Sequence, residues 1–151
     1  GLSNRKNDMV HEIIRNKGVR AFPGSVRLLR RLRRMGIRTA VVTSSTNAEM
    51  TLDAAGITDL FDAKVDGNIA ADLNLTGKPE PDTYLEAARR LDASPGRSAV
   101  IEDALSGVEA GRRGGFGLVL GVSRSVSVDE LHRNGADFVV ADLGDLLPPE
   151  Q

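Results

Sequence analysis

Two apolar spacings alternate along this chain. Short, continuous apolar runs of strand character are separated by stretches in which apolar residues recur every three or four positions, the spacing of a helix with one buried face. The first helical stretch centres on Met9, Val10, Ile13 and Ile14 and stops at Gly18. A second covers residues 24–36, with Leu28, Leu29, Leu32 and Met35 on one face and Arg27, Arg30, Arg31, Arg33 and Arg34 around the rest. Residues 38–42 read as a buried strand, and residues 48–55 as a helix that Gly56 terminates. A strand at 63–65 is followed by a stretch, 66–77, with no strong period, which reads as a long loop. From Asp82 onward Tyr84, Leu85, Ala88 and Leu91 mark another helix, with Pro81 near its start, where a missing N–H costs little. The remainder predicts a strand at 98–101, a helix at 105–113, a strand at 116–122, a helix at 128–134 and a last strand at 137–140.

Strands separated by helical crossovers predict an α/β protein with a doubly wound, mainly parallel sheet covered on both faces. Ligands of such sheets bind outside the carboxyl ends of the strands. Two polar runs fall there: Thr43-Ser44-Ser45-Thr46-Asn47 after one predicted strand, and Glu102-Asp103 after Val100-Ile101.

Composition narrows the classes of function. A chain of 151 residues with 40% apolar content can bury one sizeable core. Its net charge of −1 creates no global field for nucleic acid or anionic membrane. The arginine-rich helix has no interleaved aromatic residues, so it reads as a solvated face rather than a phosphate-backbone groove. There is no cysteine, which excludes disulfides and thiolate metal sites, and His11 and His132 form no ligand motif. No apolar run approaches the length of a membrane helix and no secretory pattern leads the chain, so the expected location is the cytoplasm.

The polar runs have two readings each. Glu102 and Asp103 offer hard oxygens of the kind Mg²⁺ takes alongside water and phosphate, or they cap the helix that follows. The hydroxyls and backbone N–H groups of residues 43–47 make an anion cradle, or an ordinary helix cap. Lys78, between Gly77 and Pro79, is one of 4 lysines against 16 arginines, and a compact point charge suits a phosphoryl group. Hydroxyl, lysine and acidic pair, in that chain order at element boundaries, point together to phosphoryl transfer.

Three segments, residues 39–47, residues 77–82 (Gly-Lys-Pro-Glu-Pro-Asp) and residues 100–111, resemble the second, third and fourth motifs of the haloacid dehalogenase superfamily, in its β-phosphoglucomutase-like branch. The resemblance spans nearly the whole chain and implies a Rossmann-like core. By it, residues 1–20 are the end of a helical cap, and residues 21–151 are a core lacking its first strand. It implies that Thr43 binds the transferring phosphoryl group with help from the backbone at Ser44, that Lys78 bridges that group and the nucleophile, and that Asp103, with Glu102 beside or behind it, holds Mg²⁺. Ser45, Thr46 and Asn47 align with the loop that grips a substrate's non-reacting phosphate, with Thr46 where Lys or Arg is common; Arg5, Lys6 and Asn7 could compensate from the cap side.

One motif of the family is absent. Its members attack phosphate with the first Asp of Asp-x-Asp and use the second as general acid and base, and none of the 13 aspartates here forms that pair. The expectation is a sugar-phosphate phosphatase or phosphomutase that is incomplete and inactive as this chain, with an upstream segment or fused domain as partner. The alternative is a catalytically dead domain that binds phosphorylated ligands or regulates a larger polypeptide.

Overall fold

The computed structural model describes residues 22–149. The expected helix at Met9–Ile14, the cap segment 1–20 and the candidate residues Arg5, Lys6 and Asn7 lie outside them. In chain order the elements are α1 (Pro23–Arg34), β1 (Ala40–Val42), α2 (Ala48–Ala54), β2 (Ala63–Val65), α3 (Gly67–Asp72), α4 (Asp82–Arg90), β3 (Ala99–Glu102), α5 (Leu105–Arg113), β4 (Leu118–Val122), α6 (Val128–Arg133) and β5 (Phe138–Val140), with a closing 3₁₀ turn at Leu143–Leu146.

Every strand pair is parallel. β1 pairs with β2 in the register Ala40↔Ala63 to Val42↔Val65, and β3, β4 and β5 pair in that order, Ala99 opposite Leu118 and Leu120 opposite Phe138. Period-two alternation then sends neighbouring side chains to opposite faces. Val119 packs with Val108 of α5 and Leu131 of α6, whereas Leu120 and Val122 pack with Leu28 of α1 and Leu143. Helices therefore cover both faces, and the architecture is the doubly wound α/β fold read from the pattern.

The sheet is divided in two, and the division falls between β1 and β3. Among the described residues no strand pairs between β1 and β3. The two face each other across a gap with a groove on each side, an apolar one of about 290 Å³ lined by Leu28, Val41 and Ile101, and a mixed one of about 820 Å³ lined by Tyr84, Val100 and Phe116 and also by Arg38, Asp92 and Arg97. Ile101 is 39% exposed in consequence, unusual for a β-branched residue inside a parallel sheet. Helices span the gap: α4 packs on β1 and β2, while its Tyr84 packs with Val100 of β3 and Val42 of β1.

Residues 66–77 correct the expected long loop. They contain α3, whose N-cap Asp66 accepts a hydrogen bond from the Ile69 N–H at 2.9 Å. A helix of 6 residues with no buried side chain leaves no apolar period to read. Among the described residues no helix is long and apolar enough to cross a membrane.

Helix α4 carries a charge staple with a pH signature. Glu86 accepts from Arg89 Nε at 2.8 Å and from Arg90 Nε at 2.7 Å, and these bonds, Arg89's foremost, hold its carboxyl at about 2, below the ordinary 4.5. A folded-state pKa below the unfolded one contributes stability that is complete above pH 4.5 and lost as pH falls through about 2. Glu86→Gln is expected to lower stability at neutral pH by about 0.5–1 kcal/mol, as exposed helix pairs do. Urea unfolding at several pH values should show that deficit shrinking through this acid window and vanishing at its lower end.

Candidate active site

Glu102 is the last residue of β3 and lies on the same side of the sheet as Val100, the side that α4 and α5 cover. The residue is 3% exposed, so its charge requires partners. Oε1 accepts the backbone N–H of Asp103 at 3.0 Å and of Ala104 at 3.3 Å. Oε2 accepts from Lys78 Nζ at 3.1 Å and from the Tyr84 hydroxyl at 2.7 Å. Those four bonds match the roughly four acceptor positions of a carboxylate. Room for the side chain exists because residue 107 is glycine: a Cβ there would fall on the Glu102 Cγ and carboxylate.

Lys78 precedes Pro79 across a cis peptide bond, in the loop that enters α4. Its side chain is 9% exposed, and its ammonium lies 4.8 Å from the centre of the Tyr84 ring. The loop is fixed from outside as well, by Glu80 accepting from Arg113 of α5 at 2.7 Å. Tyr84 is the chain's single tyrosine. Burial first, then the charge and hydrogen bond of Glu102, hold its phenol well above the ordinary range, so it keeps its proton and donates a hydrogen bond at any physiological pH.

Thr43 to Asn47 form a folded-back loop after β1, on the same edge of the sheet. Thr43 Oγ1 accepts the Ser45 N–H at 3.1 Å, and Ser45 Oγ accepts the Asn47 N–H at 3.0 Å. Asn68 of α3 donates to the Thr46 carbonyl at 3.1 Å, and Gly67 lets the Ser44 carbonyl pass where a Cβ would stand. Asn47 makes no side-chain cap on α2, so the run is not an ordinary N-cap. Thr43 and Ser45 line the groove that Ile101 also lines, one residue before Glu102.

The structure thus joins Lys78 directly to Glu102, sets Asp103 beside Glu102 in the turn entering α5, and places the Thr43 loop across the gap. Tyr84 and Gly107 were legible only as a core position and a helical glycine. The available signal was chemical: a single tyrosine on a buried helix face needs a hydrogen-bond partner for its hydroxyl. Both carboxylates are hard-oxygen donors of the kind a divalent cation takes, and the Glu102 oxygens are engaged by Lys78, Tyr84 and two backbone N–H groups. Among the described residues no three acidic or imidazole groups converge.

The model of haloacid dehalogenase-like hydrolases matches residues 3–115. The chain belongs to that family. It is 44% identical over 150 residues to a β-phosphoglucomutase of Mycobacterium bovis, covering 97% of this chain and 57% of that protein. It is 37% identical over 127 residues to a trehalose-phosphate phosphatase of Mycobacterium leprae, covering 82% of this chain and 28% of that one. Among solved structures, a haloacid dehalogenase family hydrolase of Deinococcus radiodurans with bound phosphate and sodium superposes with a TM-score of 0.74 at 31% identity, covering 84% of this chain and 57% of its own. These likenesses put this haloacid dehalogenase-like chain in the β-phosphoglucomutase-like branch. The chain spans just over half the length of its β-phosphoglucomutase relative.

The recess for Glu102 gives a direct test. Gly107→Ala is expected to expel the carboxylate from its donors and destabilise the protein by about 2–4 kcal/mol, measured by urea unfolding, because overpacking and broken charged hydrogen bonds act together. A change under about 0.5 kcal/mol would mean that Glu102 does not occupy the space beside residue 107.

Proposed function

We propose that this chain forms most of the core of a cytoplasmic Mg²⁺-dependent enzyme that transfers the phosphoryl group of a small sugar phosphate. The observation that carries this reading is the buried Lys78–Glu102 pair, 3.1 Å apart, beside Asp103 at the carboxyl edge of a parallel sheet. A buried ammonium fixed by a carboxylate is a preorganised positive charge, and such charge is what a phosphoryl group needs as its bonds shift.

In this reading Thr43 donates its hydroxyl to a phosphoryl oxygen, and the backbone at Ser44 adds an N–H. Lys78 neutralises a second phosphoryl oxygen, and Asp103 holds the metal, which when bound neutralises phosphoryl charge. Glu102 stands behind, as the anchor of Lys78. A carboxylate nucleophile is supplied by a strand lying between β1 and β3, from a segment that carries Asp-x-Asp. The apolar side chains that face the gap from both sides, Val41 and Leu28 on one and Tyr84, Val100 and Phe116 on the other, favour such a strand, since one buried on two faces is apolar on both.

Hydrolysis is favoured over a mutase reaction by the loop after β1. A mutase must grip a second phosphate, and Ser45, Thr46 and Asn47 bring hydroxyls and an amide but no cation. Lys64, the nearest lysine in sequence, is engaged by Glu49 at 3.6 Å and Asp66 at 3.4 Å. Arg5, Lys6 and Asn7 are the candidates for gripping the rest of the substrate from the cap side.

The full-length protein assayed with Mg²⁺ is expected to release phosphate from sugar monophosphates, and Asp103→Asn to lose at least about a hundredfold in kcat, several kcal/mol of lost charge stabilisation. Undiminished turnover in that variant would reject the metal assignment. Phosphate binding without turnover by the unmodified protein would instead favour a catalytically dead, ligand-binding domain.

A further inference from the structure

The hydroxyl of Tyr84 has no role in core packing. Its ring meets Phe116 edge-on, centroids 5.9 Å apart at 74°, and packs with Val100, Ala110 and Val42, all of which phenylalanine would satisfy equally. The added oxygen points instead at Glu102 Oε2, the same oxygen that receives Lys78. A buried hydroxyl bound to a charged acceptor makes a stronger bond than a neutral pair does.

We propose that Tyr84 is a positioning residue for Lys78: by sharing Glu102 Oε2 it limits how tightly the carboxylate holds the ammonium, which leaves the lysine charge available to a phosphoryl oxygen. Two donors of similar reach compete for one acceptor, the phenol at 2.7 Å and the ammonium at 3.1 Å. Without the phenol a larger share of the charge of Oε2 falls on Lys78, and the ammonium is drawn back toward β3. The ring has a second part in this. Its face lies 4.8 Å from Nζ, where it favours the positive charge and blocks retreat toward α4. The phenol remains protonated across the physiological range, so the sharing is constant.

This inference rests on the phosphoryl-transfer reading of the site, and the two are separable by titration of inorganic phosphate, in the presence of Mg²⁺, into the full-length protein and its variants. Tyr84→Phe is expected to melt somewhat lower, because a buried carboxylate loses one donor, and at a temperature well below that melting point, where it is fully folded, to bind phosphate about fivefold to tenfold more weakly. Tyr84→Leu, which also removes the ring, is expected to bind more weakly still and to melt lower. A purely structural tyrosine would leave Tyr84→Phe at the parent's affinity, and that result overturns the inference while leaving the function intact. A parent protein that binds no phosphate removes the function and the inference together.

Discussion

Glu102 closes the two halves of this molecule on one another. It belongs to β3, in the half containing β3, β4 and β5, while Tyr84 and the Lys78 loop belong to α4, which packs on β1 and β2. Both bonds to Oε2 therefore cross the division of the sheet, and both bonds to Oε1 hold the turn entering α5. An ion pair buried this deeply is a weak source of net stability, because desolvation offsets most of its attraction. Its contribution is geometric. Only one arrangement of β3, α4 and α5 satisfies all the donors at once, and every other leaves a charge buried without a partner.

That constraint explains how a site drawn from separate elements keeps its shape beside an open gap. Parallel strands give the sheet a single carboxyl edge, which places the Thr43 loop and the acidic pair on one rim. Strand pairing cannot hold the rim together between β1 and β3, so side chains of the covering helices do so: Tyr84 between Val42 and Val100 on one face, and on the other Leu28 and its helical neighbours, which line a groove with both Val41 and Ile101. Dispersion and burial bring the halves together without direction. The hydrogen bonds to Glu102 then select the register.

The elements that sequence reading located well are those with a strong period or a clean stop. α1, with its leucines on one side and arginines on the other, and α5, β4 and α6 fall within a residue or two of their expected places, because burial on one face imposes the pattern. α3 escaped because its length rests on a cap, Asp66 to Ile69, rather than on burial. At the site, Thr43, Lys78, Glu102 and Asp103 were legible as polar interruptions at element ends, which is a local property. The partition of surroundings between Glu102 and Asp103 was not. It depends on Tyr84, 18 positions away in the chain, and on the missing Cβ of Gly107, and neither relation has a period or a spacing to betray it.

The same partition bears on the chemistry of adjacent carboxylates. Position alone makes Glu102 and Asp103 equivalent candidates for a metal, but alternation along the strand does not. Glu102, facing α4 with Val100, meets a phenol, an ammonium and backbone donors. Asp103, one residue beyond the strand, is half-buried in the turn. A carboxylate with its acceptor positions filled by protein donors is a poor ligand, since each metal bond must displace a hydrogen bond of comparable strength. Burial thus gives two identical functional groups different surroundings and makes Glu102 the anchor of Lys78, whose ammonium supplies positive charge on a rim whose neighbouring loop contributes only hydroxyls, amides and backbone.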